Sequence, residues 1–206
     1  MTMVKICGIT NLCDARLAER FGADAVGFNL YRKSPRYLSP ESAGAITREV
    51  GEHIMKVGVF VNESLDNILA TAETAGLDSI QLHGDETPSF VNDLKALTTA
   101  KLIKAFRVRA DFDASMVADY DVDAVLLDTF SSDGYGGTGR RFDLGLVEKV
   151  DAQRLILAGG LTPGNVEEAI SSIGPYGVDV CSSIESSPGK KDEQLLKDFI
   201  VMARKQ

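Results

Sequence analysis

Val4-Lys5-Ile6-Cys7-Gly8-Ile9-Thr10 is the stretch that decides how this chain is read. An apolar, β-branched run ends in a thiol and a glycine, and a helix-capping residue follows at once, which describes a strand breaking into a helix with its chemistry at the break. On that reading Cys7 stands at the carboxyl end of a first strand and aims its sulfur into a pocket. The plain alternative is a small buried hydrophobe. Working outward, the same grammar recurs. Short apolar runs predict strands at Met3–Cys7, Ala25–Asn29, Lys56–Val61, Ser79–His83, Leu102–Arg107, Ala124–Asp128, Leu155–Ala158 and Val178–Cys181.

Helical periodicity fills the spaces between. Cys13, Leu17 and Phe21 lie four apart before Gly22, and Leu65, Ile68, Leu69, Ala72 and Ala75 share one face before Gly76. Three helix starts carry a hydroxyl cap and then proline, at Ser39-Pro40, Thr87-Pro88 and Thr162-Pro163. The last helix is expected from about Asp192 to Ala203, with Leu195, Leu196, Phe199, Ile200 and Ala203 on its apolar face. The sixth unit is the weakest, because a glycine-rich loop at Ser131–Gly139 leaves only a short helical piece around Leu144–Val150.

Strict alternation of strand and helix implies a parallel sheet, since parallel neighbours need a crossover. Eight units in 206 residues indicate an α/β fold, a single (β/α)8 TIM barrel over residues 1–206, with an open doubly wound sheet as the runner-up. In such a barrel every strand delivers its last residues to one face. The candidates there are Cys7, Asn29, Asn62, His83, Arg107, Asp128, Gly159-Gly160 and Cys181-Ser182-Ser183, and eight apolar runs all ending in polar or small residues lift Cys7 above the plain reading.

Composition narrows the function. A net charge of −8 argues against a nucleic-acid or anionic-membrane partner, but leaves room for an anionic ligand held by backbone amides. Cys7, Cys13 and Cys181 are odd in number and lack metal-ligand spacing, so neither a disulfide framework nor a metal site is expected, and a cytoplasmic location fits. No stretch has the length of a membrane span or the pattern of a signal peptide. Cys13 reads as core and His53 as surface.

Four groupings carry chemistry. Gly159, Gly160, Ser182 and Ser183 follow strands seven and eight, where loop amides of a barrel cup a phosphate. Cys7 and Asp128 end strands three positions apart around the ring, so a thiolate base and a carboxylic acid would flank one ligand, as proton abstraction beside a carbonyl or imine requires. Tyr31-Arg32-Lys33-Ser34-Pro35-Arg36-Tyr37 supplies Arg36 for a substrate carboxylate, with Tyr37 or Phe28 for aromatic packing and Arg32 and Lys33 in solvent. Lys5 shares the interior facing of Cys7 and needs a partner, which Asp179 on the adjacent strand provides; Lys5 would then also lower the Cys7 pKa. His83 ends the fourth strand at the same face and is placed behind the substrate.

With these residues in view the chain resembles the phosphoribosylanthranilate isomerase family of tryptophan biosynthesis. The resemblance runs through Lys5-Ile6-Cys7-Gly8-Ile9-Thr10, Lys33-Ser34-Pro35-Arg36-Tyr37, Val57-Gly58-Val59-Phe60-Val61-Asn62, Gln81-Leu82-His83-Gly84, Leu127-Asp128-Thr129, Gly136-Gly137-Thr138-Gly139 and Leu157 through Val166. It departs at Ser183, where the family usually has glycine, and at Leu144, where it usually has tryptophan. The resemblance implies Cys7 as general base, Asp128 as general acid, Arg36 on the anthranilate carboxylate and Gly159, Gly160, Ser182 and Ser183 around the phosphate. It implies an Amadori rearrangement of a phosphosugar, a monomer or homodimer, and no cofactor. Two other readings stay open: a different phosphosugar isomerase barrel, which would usually use paired aspartates, and a metabolite-binding barrel without turnover.

Overall fold

The computed structural model describes residues 1–108, 112–128, 150 and 154–205. Eight parallel strands close into a barrel in chain order: β1 (Met3–Ile6), β2 (Ala25–Asn29), β3 (Met55–Phe60), β4 (Ser79–Leu82), β5 (Lys101–Arg107), β6 (Ala124–Asp128), β7 (Leu155–Ala158) and β8 (Gly177–Val180). The seam between β8 and β1 is set by the pairs Lys5↔Asp179 and Ile6↔Val180. The open-sheet alternative is thereby excluded.

Outside the strands lie α1 (Leu12–Phe21), α2 (Pro40–Thr47), α3 (Leu65–Ala75), α4 (Pro88–Leu97), α5 (Val166–Ile173) and α6 (Glu193–Ala203). Ser39 and Thr87 cap as expected, accepting from the Ser42 and Phe90 amides. Thr162-Pro163 does not open its helix. Thr162 Oγ1 accepts from the Gly164 amide and Asn165 Oδ1 from that of Thr162, so proline begins a turn and α5 starts three residues later. Between β5 and β6 the described crossover is a short 3-10 helix, Ala114–Asp119, beside a cluster of Phe106, Phe112 and Tyr120. The expected glycine-rich loop and the helical piece around Leu144 lie outside the described residues, except for buried Val150.

Side chains alternate along each strand, so the barrel has two distinct apolar layers. Met3, Ala25, Val57, Ile103, Ala105, Ala124, Leu126, Ile156 and Ala158 fill its interior. The intervening positions, among them Val4, Ile6, Val26, Phe28, Leu127 and Val180, pack against helices. Phe28 is therefore fully buried beneath the helices and does not line the mouth. Cys13 is exposed, because α1 buries Asp14, Ala15 and Ala18 and turns the Cys13 face outward. No described helix is long and apolar enough to cross a membrane.

Candidate active site

Interior parity runs straight through the strand ends. Lys5 is fully buried in the barrel, and Cys7, two residues on, lies over the same space: a Cβ on Gly27 of β2 would sit 2.8 Å from Cys7 Sγ and 3.2 Å from Lys5 Cε. Glycine at 27 is thus what admits both side chains, and nothing short of the register would have singled it out. Lys5 Nζ bonds Asp179 Oδ1 at 2.9 Å, the pairing that the alternation predicts. Burial opposes the Lys5 charge, yet Asp179 and Cys7 together hold it above the ordinary lysine value. Burial pushes Asp179 up to about 7 against the pull of Lys5.

Cys7 itself is held well below the ordinary thiol value. The largest cause is a hydrogen bond from Cys181; burial opposes it, and the Lys5 and Lys191 ammoniums assist. The Cys181 thiol is correspondingly pushed up, by its bond to Cys7 and by burial, and keeps its proton. A thiolate with a proton-donating neighbour and two nearby cations is a competent base at neutral pH.

Across the mouth Asp128 ends β6 with the same parity, and its Oδ2 lies 3.5 Å from His83 Nε2. His83 Nδ1 is 3.0 Å from Gln81 Nε2, which orients the ring so that Nε2 faces the carboxylate. Two polar pairs thus stand within the barrel mouth, Lys5 with Asp179 on the β1–β8 side and His83 with Asp128 on the β4–β6 side.

Arg36 reaches the site, but its partner is one the sequence did not offer. Glu185 takes its Nε and Nη2 at 2.6 to 3.0 Å, and this bond raises the Arg36 pKa further. The Nε edge of the fork is therefore occupied by Glu185, and the expected two-point contact to another carboxylate has only the Nη1 and Nη2 edge to use. Glu185 begins a small hairpin, β9 (Glu185–Ser187) with β10 (Lys190–Lys191), whose buried Lys191 ammonium lies 3.0 Å from Glu185 Oε1 and 3.1 Å from the Cys181 carbonyl. Burial works against the Glu185 charge, and Arg36 and Lys191 outweigh it, lowering its pKa. Strands of two and three residues have no readable period, which is why Glu185 and Lys191 escape a sequence reading. Arg32 and Lys33 are exposed as expected, with Arg32 stacked 5.6 Å over Tyr37.

After β7, Gly159 and Gly160 both take left-handed backbone, with φ of 84° and 66°. Glycine takes such backbone without a Cβ clash, so the chain turns sharply at the strand end and leaves its main chain open to close approach. After β8, Ser182 and Ser183 lie in a 3-10 turn, and the Ser183 hydroxyl donates to the Leu161 carbonyl, tying the two loops together. Asn62 does not join the site; at φ 51° it bonds Asp85 and, through its amide, Glu86. A cavity of about 20 Å³ lined by Met3, Met55, Ser79 and Tyr176 lies at the opposite end, where strands begin, and holds at most a water. The described residues contain no cluster of metal-ligating side chains.

A sequence profile described as N-(5'phosphoribosyl)anthranilate (PRA) isomerase matches residues 4–202. The chain is 48% identical over 206 residues to the N-(5'-phosphoribosyl)anthranilate isomerase of Citrifermentans bemidjiense, covering 100% of this chain and 98% of that protein. Its fold superposes on a phosphoribosyl anthranilate isomerase from Thermotoga maritima with a TM-score of 0.91 at 42% identity, covering 100% of both chains. It also matches a solved phosphoribosyl anthranilate isomerase in complex with reduced 1-(o-carboxyphenylamino)-1-deoxyribulose 5-phosphate, with a TM-score of 0.87 at 40% identity and full coverage of both.

Proposed function

The chain belongs to the N-(5'-phosphoribosyl)anthranilate isomerase family, and from that premise we propose how its own residues carry the reaction. The reaction is the Amadori rearrangement of N-(5'-phosphoribosyl)anthranilate to 1-(2-carboxyphenylamino)-1-deoxyribulose 5-phosphate. Asp128 gives a proton to the furanose ring oxygen, the ring opens to a Schiff base, and the Cys7 thiolate takes the proton from sugar C2′. The resulting enolamine tautomerises to the ketose product. Acid and base act on different atoms, so they belong on different sides of the ligand, and the reaction needs no redox partner.

The observation that carries this assignment is the shared parity of Cys7 and Asp128 at the carboxyl ends of β1 and β6, both facing the barrel mouth. Binding falls to the strand ends and the loops after them: Gly159, Gly160, Ser182 and Ser183 receive the phosphate, Arg36 the anthranilate carboxylate, and His83 and Asp179 the sugar side. Phosphate affinity then orients the reacting carbons. Residues 1–206 act as one catalytic domain, the partner is a small phosphosugar, and free cysteines support a cytoplasmic setting.

The test follows loss of the fluorescent substrate. Cys7→Ala and Asp128→Ala should each lower kcat by about 100-fold to 10,000-fold, the usual contribution of a general base or acid, while a product analogue still binds. Turnover near the parent rate in either variant would refute that residue's role. Binding without turnover in the unaltered chain would favour the binding-barrel reading.

A further inference from the structure

The isomerase chemistry gives Cys181 no bond-making step, yet the fold sets its sulfur against that of the base. Ile6 and Val180 are register partners, and the ladder continues to Cys7, whose amide donates to the Val180 carbonyl at 2.8 Å. Continuing that register by one step past the strand ends sets Cys181 opposite Cys7. Parallel neighbours stand about 4.8 Å apart, within the window of about 4.4–6.8 Å between Cα atoms in which a disulfide closes without moving the backbone. Two glycines keep the approach open. A Cβ on Gly8 would lie 2.7 Å from Cys181 Sγ, and one on Gly27 2.8 Å from Cys7 Sγ. The Lys191 ammonium is 3.9 Å from Cys181 Sγ and 3.1 Å from its carbonyl, and Glu185 Oε1 accepts from that thiol at 3.9 Å, so Cys181 keeps its proton while the Lys191 charge assists the Cys7 thiolate. Cys181 is only half-buried, so the pair lies at the mouth.

We propose that Cys7 and Cys181 form a reversible disulfide in response to a hydroperoxide, a modification site that switches the isomerase off by consuming its base. The Cys7 thiolate attacks one peroxide oxygen; the O–O bond breaks, an S–O bond forms, and the departing oxygen takes a proton to leave as an alcohol or water. Cys181 gives up its proton and attacks the Cys7 sulfur of that sulfenic acid; the S–S bond forms, the S–O bond breaks, and water leaves. Two thiols lose two electrons and the peroxide gains them. A dithiol reductant reverses the step by thiol–disulfide exchange. The loss of turnover rests on Cys7 as the base, whereas the crosslink does not.

Cys13 is exposed and would blur a thiol count, so the test uses the full chain carrying Cys13→Ser. Hydrogen peroxide treatment is followed by alkylation in denaturant and peptide mass spectrometry. The peptides holding Cys7 and Cys181 should appear joined, lighter by two hydrogens, with neither thiol alkylated; turnover should fall about 100-fold or more and return with dithiothreitol. In Cys13→Ser/Cys181→Ser the same dose should carry Cys7 to the sulfinic acid, beyond rescue by dithiothreitol. Cys7 gaining oxygen while Cys181 stays alkylatable would overturn the proposal, as would both thiols surviving a dose that oxidises Cys13 in the unaltered chain. A crosslink with turnover intact would uphold the disulfide, overturn the switch and remove Cys7 as the base.

Discussion

Lys5 adds its charge to the electrostatics of Cys7, the proposed base. Buried without exposure, it is tolerable only because Asp179 bonds it at 2.9 Å, and its charge then lies close enough to favour the Cys7 thiolate. The hydrogen bond from Cys181 does more, so removing Lys5 raises the Cys7 pKa without restoring the free-thiol value. A depressed base pKa keeps activity at neutral pH and loses it only as pH falls through that lowered value. In Lys5→Met the acidic limb of the kcat/KM profile should accordingly move to higher pH, towards about 8.5, with thiol alkylation shifting in parallel. An unmoved limb would show that Lys5 merely fills the barrel. Parity made this pairing readable in the sequence: Cys7 inward forces Lys5 inward, and Asp179 follows from Cys181. Parity also exposes the Cys13 misreading, since a four-residue spacing shows that residues share a helix face but does not say which way that face points.

At the scale of elements, strands were readable to within a residue because their apolar runs are dense and their ends abrupt; Lys56–Val61, for instance, is observed as Met55–Phe60. Caps were readable where proline follows the hydroxyl at Ser39 and Thr87. The same pair at Thr162 misleads because Asn165 captures the local amide and postpones the helix. Loops that hold the site are mostly set by backbone conformation. Gly160 stands at φ 66° with open space around its missing side chain, so Gly160→Ala meets no clash, only about 1–2 kcal/mol of left-handed strain. The loop relieves that strain by turning its amides away from the phosphate, and KM should rise about tenfold with kcat little changed. An unchanged KM would take Gly160 out of the phosphate cup. The loop after β4 is anchored differently. Lys104 Nζ bonds Glu86 Oε2 at 2.8 Å, both side chains are buried, and Glu86 also accepts from the Asn62 and Gly84 amides. Lys104→Met strands that carboxylate, and urea unfolding should show a loss of about 3–5 kcal/mol.

For the whole molecule, closure is the organising event: first and last strands meet, and the Lys5–Asp179 pair stitches them at the level of the catalytic face. Because Asp179 ionises at about 7 and the folded protein holds Lys5 above its ordinary value of 10.5, this ion pair contributes fully between those two pH values, and its contribution fades as pH rises through the folded lysine value. The urea midpoint should therefore fall more steeply above pH 10.5 in the parent chain than in Lys5→Met; parallel curves would mean that the stitch carries no net stability. The closed barrel was legible because eight strand ends carry polar or small residues in the order one fold requires, and the isomerase activity was legible through the family resemblance of motifs such as Lys5–Thr10 and Lys33–Tyr37. The β9–β10 hairpin was not, and with it went Glu185 and Lys191, the groups that set the Arg36 edge. A choice between monomer and homodimer is equally invisible, since either uses the same interior pattern.

Catalysis by Cys7 and Asp128 requires sulfur and carboxylate to close on one sugar from opposite sides. A crystal structure of this chain with the reduced deoxyribulose phosphate product measures it directly. The phosphate should rest on Gly159, Gly160 and Ser183, with Cys7 Sγ within about 3–4 Å of C2′ and the Asp128 carboxyl within hydrogen-bond reach, about 3 Å, of the sugar oxygen it serves. A bound sugar with both groups on one side, or with Cys7 out of reach of C2′, would contradict the account.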